Sequence, residues 1–196
     1  MQTFSPQRID QTVRDITTPW LSASECQNQL NLFDDNSQYE MLQNLELATR
    51  MAIEDYLGMA IFAQTVKAYY SANVSGTQIA LSLPPESVQS TVSTVEFYDL
   101  TNTLTTLAGG NYFYDATAFK VVATLPTNIN TGVVSPVVVT YIQAANTMAK
   151  YPVIKQAGLL LLTHLYNNRS ETVTGGMNKI PNGLDALLRP YKPLVM

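Results

Sequence analysis

The sequence predicts an α+β chain: a small helical bundle, made of an N-terminal helix pair plus C-terminal helices, with an inserted antiparallel β sandwich or barrel-like domain. Three observations predict it. Apolar residues recur every three or four positions within residues 21–60, and residues 150–190 hold a second helical stretch that is apolar on nearly every side. Between them, residues 61–145 change to period-two alternation rich in Val, Thr and Tyr and punctuated by turn residues. No repeat of fixed period runs through the chain. Residues 1–20 are polar, with Pro6 and Pro19, and read as an extended arm; residues 191–196 read as a C-terminal tail.

Ser22 and Glu25 form an S-x-x-E capping box, which places the first helix start at Ser22, with Leu21 as a staple before it. That helix runs to about Leu32. Asp34, Asp35 and Asn36 break it and cap the next. The second helix, 37–57, carries a stripe of Leu42, Leu45, Thr49, Ala52 and Tyr56, widened by Met41, Ala48 and Met51. Gly58 stands where a helix C′ glycine belongs. Glu46 and Arg50 form an i, i+4 pair of favourable polarity, worth a few tenths of a kcal/mol (about 0.3) on an exposed face.

Strands are predicted from Phe62 to Tyr70 and at 78–83, 92–98, 104–107, 112–114, 119–123 and 133–141. The separators are Pro84-Pro85, residues 99–102, Gly109-Gly110 and residues 126–132. Pro136 makes the last strand either an edge or one that begins after that proline. The third helix opens at Pro152, a good first-turn residue. Its run of Val153, Ile154, Ala157, Leu159 to Leu162 and Leu165 is apolar on nearly every side, so burial is expected in the core or against another subunit. It ends near Asn168-Arg169. Gly175-Gly176 falls in a loop, and a short last helix covers about 183–189 before Pro190.

Composition narrows the function classes. The 196-residue chain is 46% hydrophobic but only 13% charged, with a net charge of −4. Typical soluble chains carry about 25% charge, and interfaces are where charge is depleted. The acidic balance gives no basic footprint for gripping nucleic acid. A single cysteine, Cys26, excludes an intramolecular disulfide. The N-terminus has no signal-peptide pattern, so synthesis in the cytoplasm is expected and the N-x-S matches at Asn73 and Asn168 carry no weight. The longest apolar run is far too short for a bilayer, and no membrane association is expected.

The inventory for catalysis is thin. The lone histidine, His164, sits within the predicted buried helix and reads as a packed or interface residue. With one Cys and one His, the common zinc sites cannot form within one chain. There is no G-x-S-x-G elbow, no P-loop and no G-x-G-x-x-G. Asp34-Asp35 and Glu54-Asp55 read more simply as a cap and a solvated face than as acid-base pairs. The β-region aromatics (Tyr69, Tyr70, Phe97, Tyr98, Tyr112, Phe113, Tyr114, Phe119) could stack on sugars or bases, but cross-strand core packing is the simpler reading, and cations for base stacking are missing. No enzyme activity, cofactor or metal is expected.

Three strings carry a resemblance. The first is Ile53-Glu54-Asp55-Tyr56-Leu57-Gly58-Met59-Ala60 leading into Ala63-Gln64-Thr65. The second is Pro152-Val153-Ile154-Lys155-Gln156-Ala157, then leucines, then His164-Leu165-Tyr166-Asn167-Asn168-Arg169. The third is Gly183-Leu184-Asp185-Ala186-Leu187-Leu188-Arg189-Pro190-Tyr191, preceded by Pro181. In this order and spacing they resemble the head-tail connector (adaptor, head completion) proteins of long-tailed phages, in the larger form with an inserted β domain. The likeness covers roughly residues 20–192. Met59 stands where that family often has Arg, the 172–180 loop is longer than in the family, and residues 1–20 have no counterpart.

The resemblance implies a structural virion protein of the phage neck. Such a protein forms a ring, usually of twelve copies to match the portal, that extends the DNA channel and offers the tail its attachment surface after DNA packaging. The implied partners are the portal protein, a tail-proximal neck or stopper protein, further copies of the chain, and DNA that passes without sequence-specific binding. The short last helix and tail become the portal-docking element, through Leu184, Leu187, Leu188, Arg189, Tyr191 and Leu194, because this helix and tail are mainly apolar with nothing local to bury them. Leu161, His164, Leu165, Tyr166 and Arg169 become the buried or subunit-interface helix. The alternative reading is a tail or baseplate-type binding module with an aromatic β domain.

Overall fold

The computed structural model describes residues 1–32, 36–84, 91–168 and 182–192. The chain divides into two compact units: residues 1–14 with 62–144, and residues 15–61 with 145–196. The expected elements at Asp34-Asp35, the Gly175-Gly176 loop and the 193–196 tail lie outside the described residues.

The β unit contains two sheets. One has the strand order β1 (Gln2–Phe4), β4 (Gln78–Ser82), β8 (Lys120–Thr124), β7 (Tyr112–Asp115); the other runs β2 (Arg8–Val13), β3 (Gln64–Tyr70), β9 (Val137–Gln143), β5 (Thr91–Tyr98), β6 (Leu104–Thr106). Alternate residues of both sheets meet in one core: Val66, Ala68 and Tyr70 from β3, Ile79 and Leu81 from β4, Val121 and Ala123 from β8, Val137, Val139 and Tyr141 from β9. Period-two patterning fixes this arrangement, since a one-residue slip would turn each strand's apolar set outward. β9 begins directly after Pro136 and lies between β3 and β5. Of the two readings of that proline, the strand starting after it is the correct one. β8 begins at Lys120 rather than Phe119, because Phe119 occupies the left-handed region (φ 51°) in the turn closed by Asp115, whose carboxylate accepts from Thr117 N–H at 2.9 Å.

Residues 1–20 are not only an extended arm. β1 pairs parallel with β4, and β2 pairs antiparallel with β3, so the N-terminus supplies an edge strand to each sheet and the first sheet is mixed rather than purely antiparallel. Both strands are largely exposed. A strand without a buried alternating face leaves no period-two signal, which is why sequence patterning passed over them. Arg8 and Asp10 put charge on the β2 edge, Arg8 also stacks over the Tyr69 ring at 4.2 Å, and the register shifts between Gln11 and Val13. Charges and bulges of this kind blunt an edge against unwanted pairing.

The helical unit contains α1 (Ala23–Leu30), α2 (Tyr39–Leu57), α3 (Pro152–Asn167) and α4 (Asn182–Leu188). The capping box forms as the sequence requires: Glu25 N–H donates to Ser22 Oγ at 3.2 Å, and Ser22 N–H donates to Glu25 Oε2 at 2.8 Å. Lys155 adds an ion pair to Glu25 at 3.0 Å. Asn31, at φ 55°, closes α1, and Gly58, at φ 63°, closes α2.

The buried stripe of α2 differs from the one predicted. Leu42, Thr49, Ile53 and Leu57 are buried, but so are Glu46, Arg50 and Glu54, while Ala48 and Ala52 are exposed. The charged residues bind backbone. Glu46 Oε1 accepts from Trp20 N–H (2.9 Å) and Leu21 N–H (3.1 Å). The Arg50 guanidinium donates to the carbonyls of Thr18 (2.7 Å) and Asp15. Glu54 Oε1 accepts from Ile61 N–H at 2.8 Å. Buried backbone groups need partners, and these side chains supply them to residues 15–21 and 61, where the chain enters and leaves this part of the unit.

Candidate assembly surface at the C-terminal helices

The three sequence strings meet around α4. Leu184 and Leu188 are buried, 3% and 1% exposed, and line a small apolar seam with Ile53, Tyr56 and Leu161. The Tyr56 hydroxyl donates to the Asp185 carboxylate, and this hydrogen bond, first among its causes, raises the tyrosine's pKa. Tyr56 comes from the first string, Leu161 from the leucines of the second, and Asp185 and Leu188 from the third.

This geometry divides the expected docking residues. Leu184 and Leu188 do have a local home, which the sequence expectation denied them: they seat α4 on α2 and α3. The sequence could not show this, because Ile53 and Tyr56 are more than a hundred positions away and Leu161 lies on a separate helix. Leu187 is half-buried, Tyr191 half-buried and Arg189 exposed; Leu194 lies outside the described residues. Tyr191 packs edge-on against Tyr151, with ring centroids 6.0 Å apart at 71°. Lys192 places its ammonium 5.0 Å from the centre of the Tyr56 ring. Tyr151 is 46% exposed. The accessible surface here is therefore aromatic and basic (Tyr56, Tyr151, Leu187, Arg189, Tyr191, Lys192) rather than a row of leucines. Tyr and Arg are the residue types that concentrate binding energy at protein interfaces.

The α3 expectation also divides. Leu161 is buried, Leu165 and Tyr166 are half-buried, and Arg169 lies outside the described residues. Tyr166 donates to Gln38 Oε1 at 2.8 Å. His164 is exposed, in the last turn of α3, so it is not a packed core histidine. One face of α3 is open: Val153, Gln156, Leu160, His164 and Asn167 are exposed, at helical spacing. The helix is apolar enough to read as buried all round, but only the side carrying Ile154, Ala157, Gly158, Leu161 and Leu162 is covered.

Sequence reading missed a contact at the heart of this unit. The one tryptophan, Trp20, lies against Gly158, donates its indole N–H to the Ala149 carbonyl at 3.2 Å, and packs beside Leu21, Cys26 and Leu162. A glycine in the middle of an otherwise leucine-rich helix was the available signal.

The aromatic residues of the β region lie mostly inside. Tyr70 and Phe97 belong to the core, Tyr112 and Tyr114 pack against it, and Phe113 is exposed at 58%. Among the described residues, no group of three or more His, Cys, Asp or Glu is placed to hold a metal ion, and no helix is long and apolar enough to cross a membrane.

No family model matches the chain, and no curated protein sequence matches it. Solved structures do. The chain is similar to one in the neck of an empty gene transfer agent (GTA) particle computed with C6 symmetry, at 21% identity and a TM-score of 0.63, covering 97% of both chains. It is similar to one in the virion of a native GTA particle (20%, TM-score 0.63) and to one in the neck of a native GTA particle computed with C12 symmetry (19%, TM-score 0.59), each again covering 97% of both chains. The likeness shows a shared fold over the whole chain, both units included.

Proposed function

We propose that the chain is a structural neck subunit of a tailed phage or phage-like particle, a head-tail connector that forms a ring on the portal, extends the DNA channel and gives the tail its attachment surface. The observation that carries the reading is the whole-length likeness to chains of particle necks. A match over 97% of both chains includes the helical unit and the β unit alike, so it is not the sharing of one common module. The cyclic symmetries named for those necks support a ring, and a ring closes through heterologous contacts. The low charge of the chain supports extensive coverage by partners.

On the portal side, the reading assigns docking to Leu187, Arg189 and Tyr191 with Tyr151 and Lys192 beside them. Leu184 and Leu188 hold that surface in place. DNA passes without sequence-specific contact, in keeping with a net charge of −4. Twelve copies, to match the portal, complete the proposal.

Electron microscopy of parent particles made without this chain tests it. Free tails beside tailless heads that have lost DNA are expected, with joining restored by the wild-type chain supplied in trans. Normal particles with intact necks would overturn the reading.

A further inference from the structure

Among the described residues, four Lys or Arg side chains are exposed: Arg8, Lys150, Arg189 and Lys192. Arg8 is paired with Asp10. The other three have no carboxylate partner among the described residues, and all three fall in one small area of the helical unit. Arg189 and Lys192 flank Tyr191 in a tight turn, with Lys192 N–H donating to the Arg189 carbonyl at 3.3 Å. Lys150 precedes Tyr151, whose ring meets that of Tyr191 at 6.0 Å. The Lys192 ammonium lies 5.0 Å from the centre of the Tyr56 ring. The Tyr56 pKa is raised first by its hydrogen bond to Asp185, and the Arg189 charge acts on the same ring in the opposite sense, which places it nearby.

The chain is acidic overall, with a net charge of −4, so three unpaired cations among three tyrosine rings make a local field of the opposite sign. The guanidinium fork of Arg189 matches a carboxylate, and an ammonium takes a second. Aromatic rings beside them keep water away, where such pairs count for more. Nucleic acid is a poorer match. Its affinity grows with the number of phosphates neutralised; three cations neutralise few, the Asp185 carboxylate lies among them, and the acidic chain repels a long polyanion. A second copy of the chain is a poorer match as well. Among the described residues only Glu40, Asp55 and Asp185 are exposed acids. Asp55 precedes Tyr56 and Asp185 accepts from it, so both belong to the cationic area itself. Of the half-buried acids, Asp10, Asp15, Glu25, Asp99 and Asp115 are already bonded within the chain.

We propose that this area binds an acidic segment of a different protein, one that carries two or more carboxylates beside an apolar residue. Arg189 and Lys192 take the carboxylates, Lys150 adds to the field, and the rings of Tyr151 and Tyr191 flank the apolar group. For its place in the particle the inference rests on the connector reading: it gives the chemistry of what the docking surface on the helical unit engages.

The test titrates the purified full-length chain with poly-L-glutamate and with a single-stranded oligodeoxynucleotide by calorimetry, and sediments the chain alone. Wild type should bind polyglutamate saturably. Binding should weaken at least about tenfold in Lys150→Gln/Arg189→Gln/Lys192→Gln, and again as salt rises from about 50 to about 300 mM. The charge-keeping Lys150→Arg/Lys192→Arg should bind as wild type does, and an unchanged melting temperature of both variants checks the fold. Wild type that does not bind polyglutamate, or a Gln variant that binds it equally well, would overturn the proposal. So would tighter binding of the oligonucleotide, which would make the ligand a nucleic acid, or self-association of wild type that the Gln variant loses, which would make it a second copy. Isolated heads lacking the chain separate this from the connector reading. Wild type that binds polyglutamate through these cations but does not bind heads would refute the connector reading alone. Wild type and Gln variant binding heads equally would overturn the inference and leave the connector reading standing.

Discussion

Replacing Gly158 with alanine sets two opposed effects against each other. Gly to Ala in a helix interior ordinarily gains about 1 kcal/mol of stability from backbone entropy. At position 158 the added methyl would lie 2.6 Å from Trp20 Cζ3, 2.9 Å from Cη2 and 3.4 Å from Leu21 Cδ1. The first two distances are shorter than van der Waals contact, so something must move. The indole cannot slide easily: its Nε1–H is bonded to the Ala149 carbonyl, and the Trp20 backbone N–H is held by Glu46. Overpacking of this kind costs about 1–3 kcal/mol. With the upper half of that range favoured by the fixed ring, the helix gain is outweighed and the net loss is about 1 kcal/mol, or roughly 2–4 °C in melting temperature for a chain of this size. Because Trp20 is the only tryptophan, its fluorescence reports the helical unit specifically during urea or thermal unfolding. G158A should unfold earlier. In a Trp20→Leu background, followed by circular dichroism, the same change should become neutral or stabilising. A G158A protein as stable as wild type or more stable would refute the reasoning, as would an equal loss in both backgrounds, because the glycine would then not be there for the ring.

Two further predictions concern the charged groups of the helical unit. Arg50→Ala should cost roughly 3 kcal/mol, the cost of leaving buried polar partners unsatisfied, since Arg50 is 1% exposed and binds the carbonyls of Thr18 and Asp15; urea denaturation with a midpoint close to wild type would refute this. The Glu25 carboxyl is held below its ordinary value of 4.5, first by the Ser22 backbone N–H and then by Lys155. A depressed folded pKa gives stability that is present above the unfolded value and lost as pH falls through the folded one. Glu25→Gln should therefore be less stable than wild type near pH 7, and the gap should narrow as pH falls below the ordinary value of 4.5 and through the lowered folded one; a gap that does not change with pH would show that the charge of Glu25 contributes nothing.

Signals in the sequence are legible where the physics is local. Ser22 and Glu25 lie three residues apart and cap α1 with each other; Gly58 closes α2 because the left-handed conformation there suits glycine; Pro152 opens α3 because its missing N–H is not needed in a first turn. The core strands carried their alternation openly. What escaped depended on residues far apart in the chain. Glu46 and Arg50 look like an exposed i, i+4 pair, and nothing nearby says that residues 15–21 will lie across them. β1 and β2 are edges whose exposed residues carry no pattern. Leu184 and Leu188 read as unpartnered because Ile53 and Tyr56, which line the same seam, are distant in sequence and Leu161 belongs to another helix.

The burial of Leu184 and Leu188 also bears on function. The three sequence strings are individually short and ordinary, yet Tyr56, Leu161, Asp185 and Leu188 come together in one seam. Their order and spacing place the residues that pack a short helix onto two longer ones. This does not make them the contact surface. A residue committed to holding α4 has its apolar area already removed from water and has little left to offer a partner. In the proposed reading, the binding residues are to be sought where those anchors leave side chains uncovered: Tyr151, Arg189 and Tyr191 on the helical unit. Substitutions at the anchors should lower stability first and assembly only as a consequence, whereas substitutions at the uncovered residues should lower assembly in a chain that unfolds at the wild-type temperature.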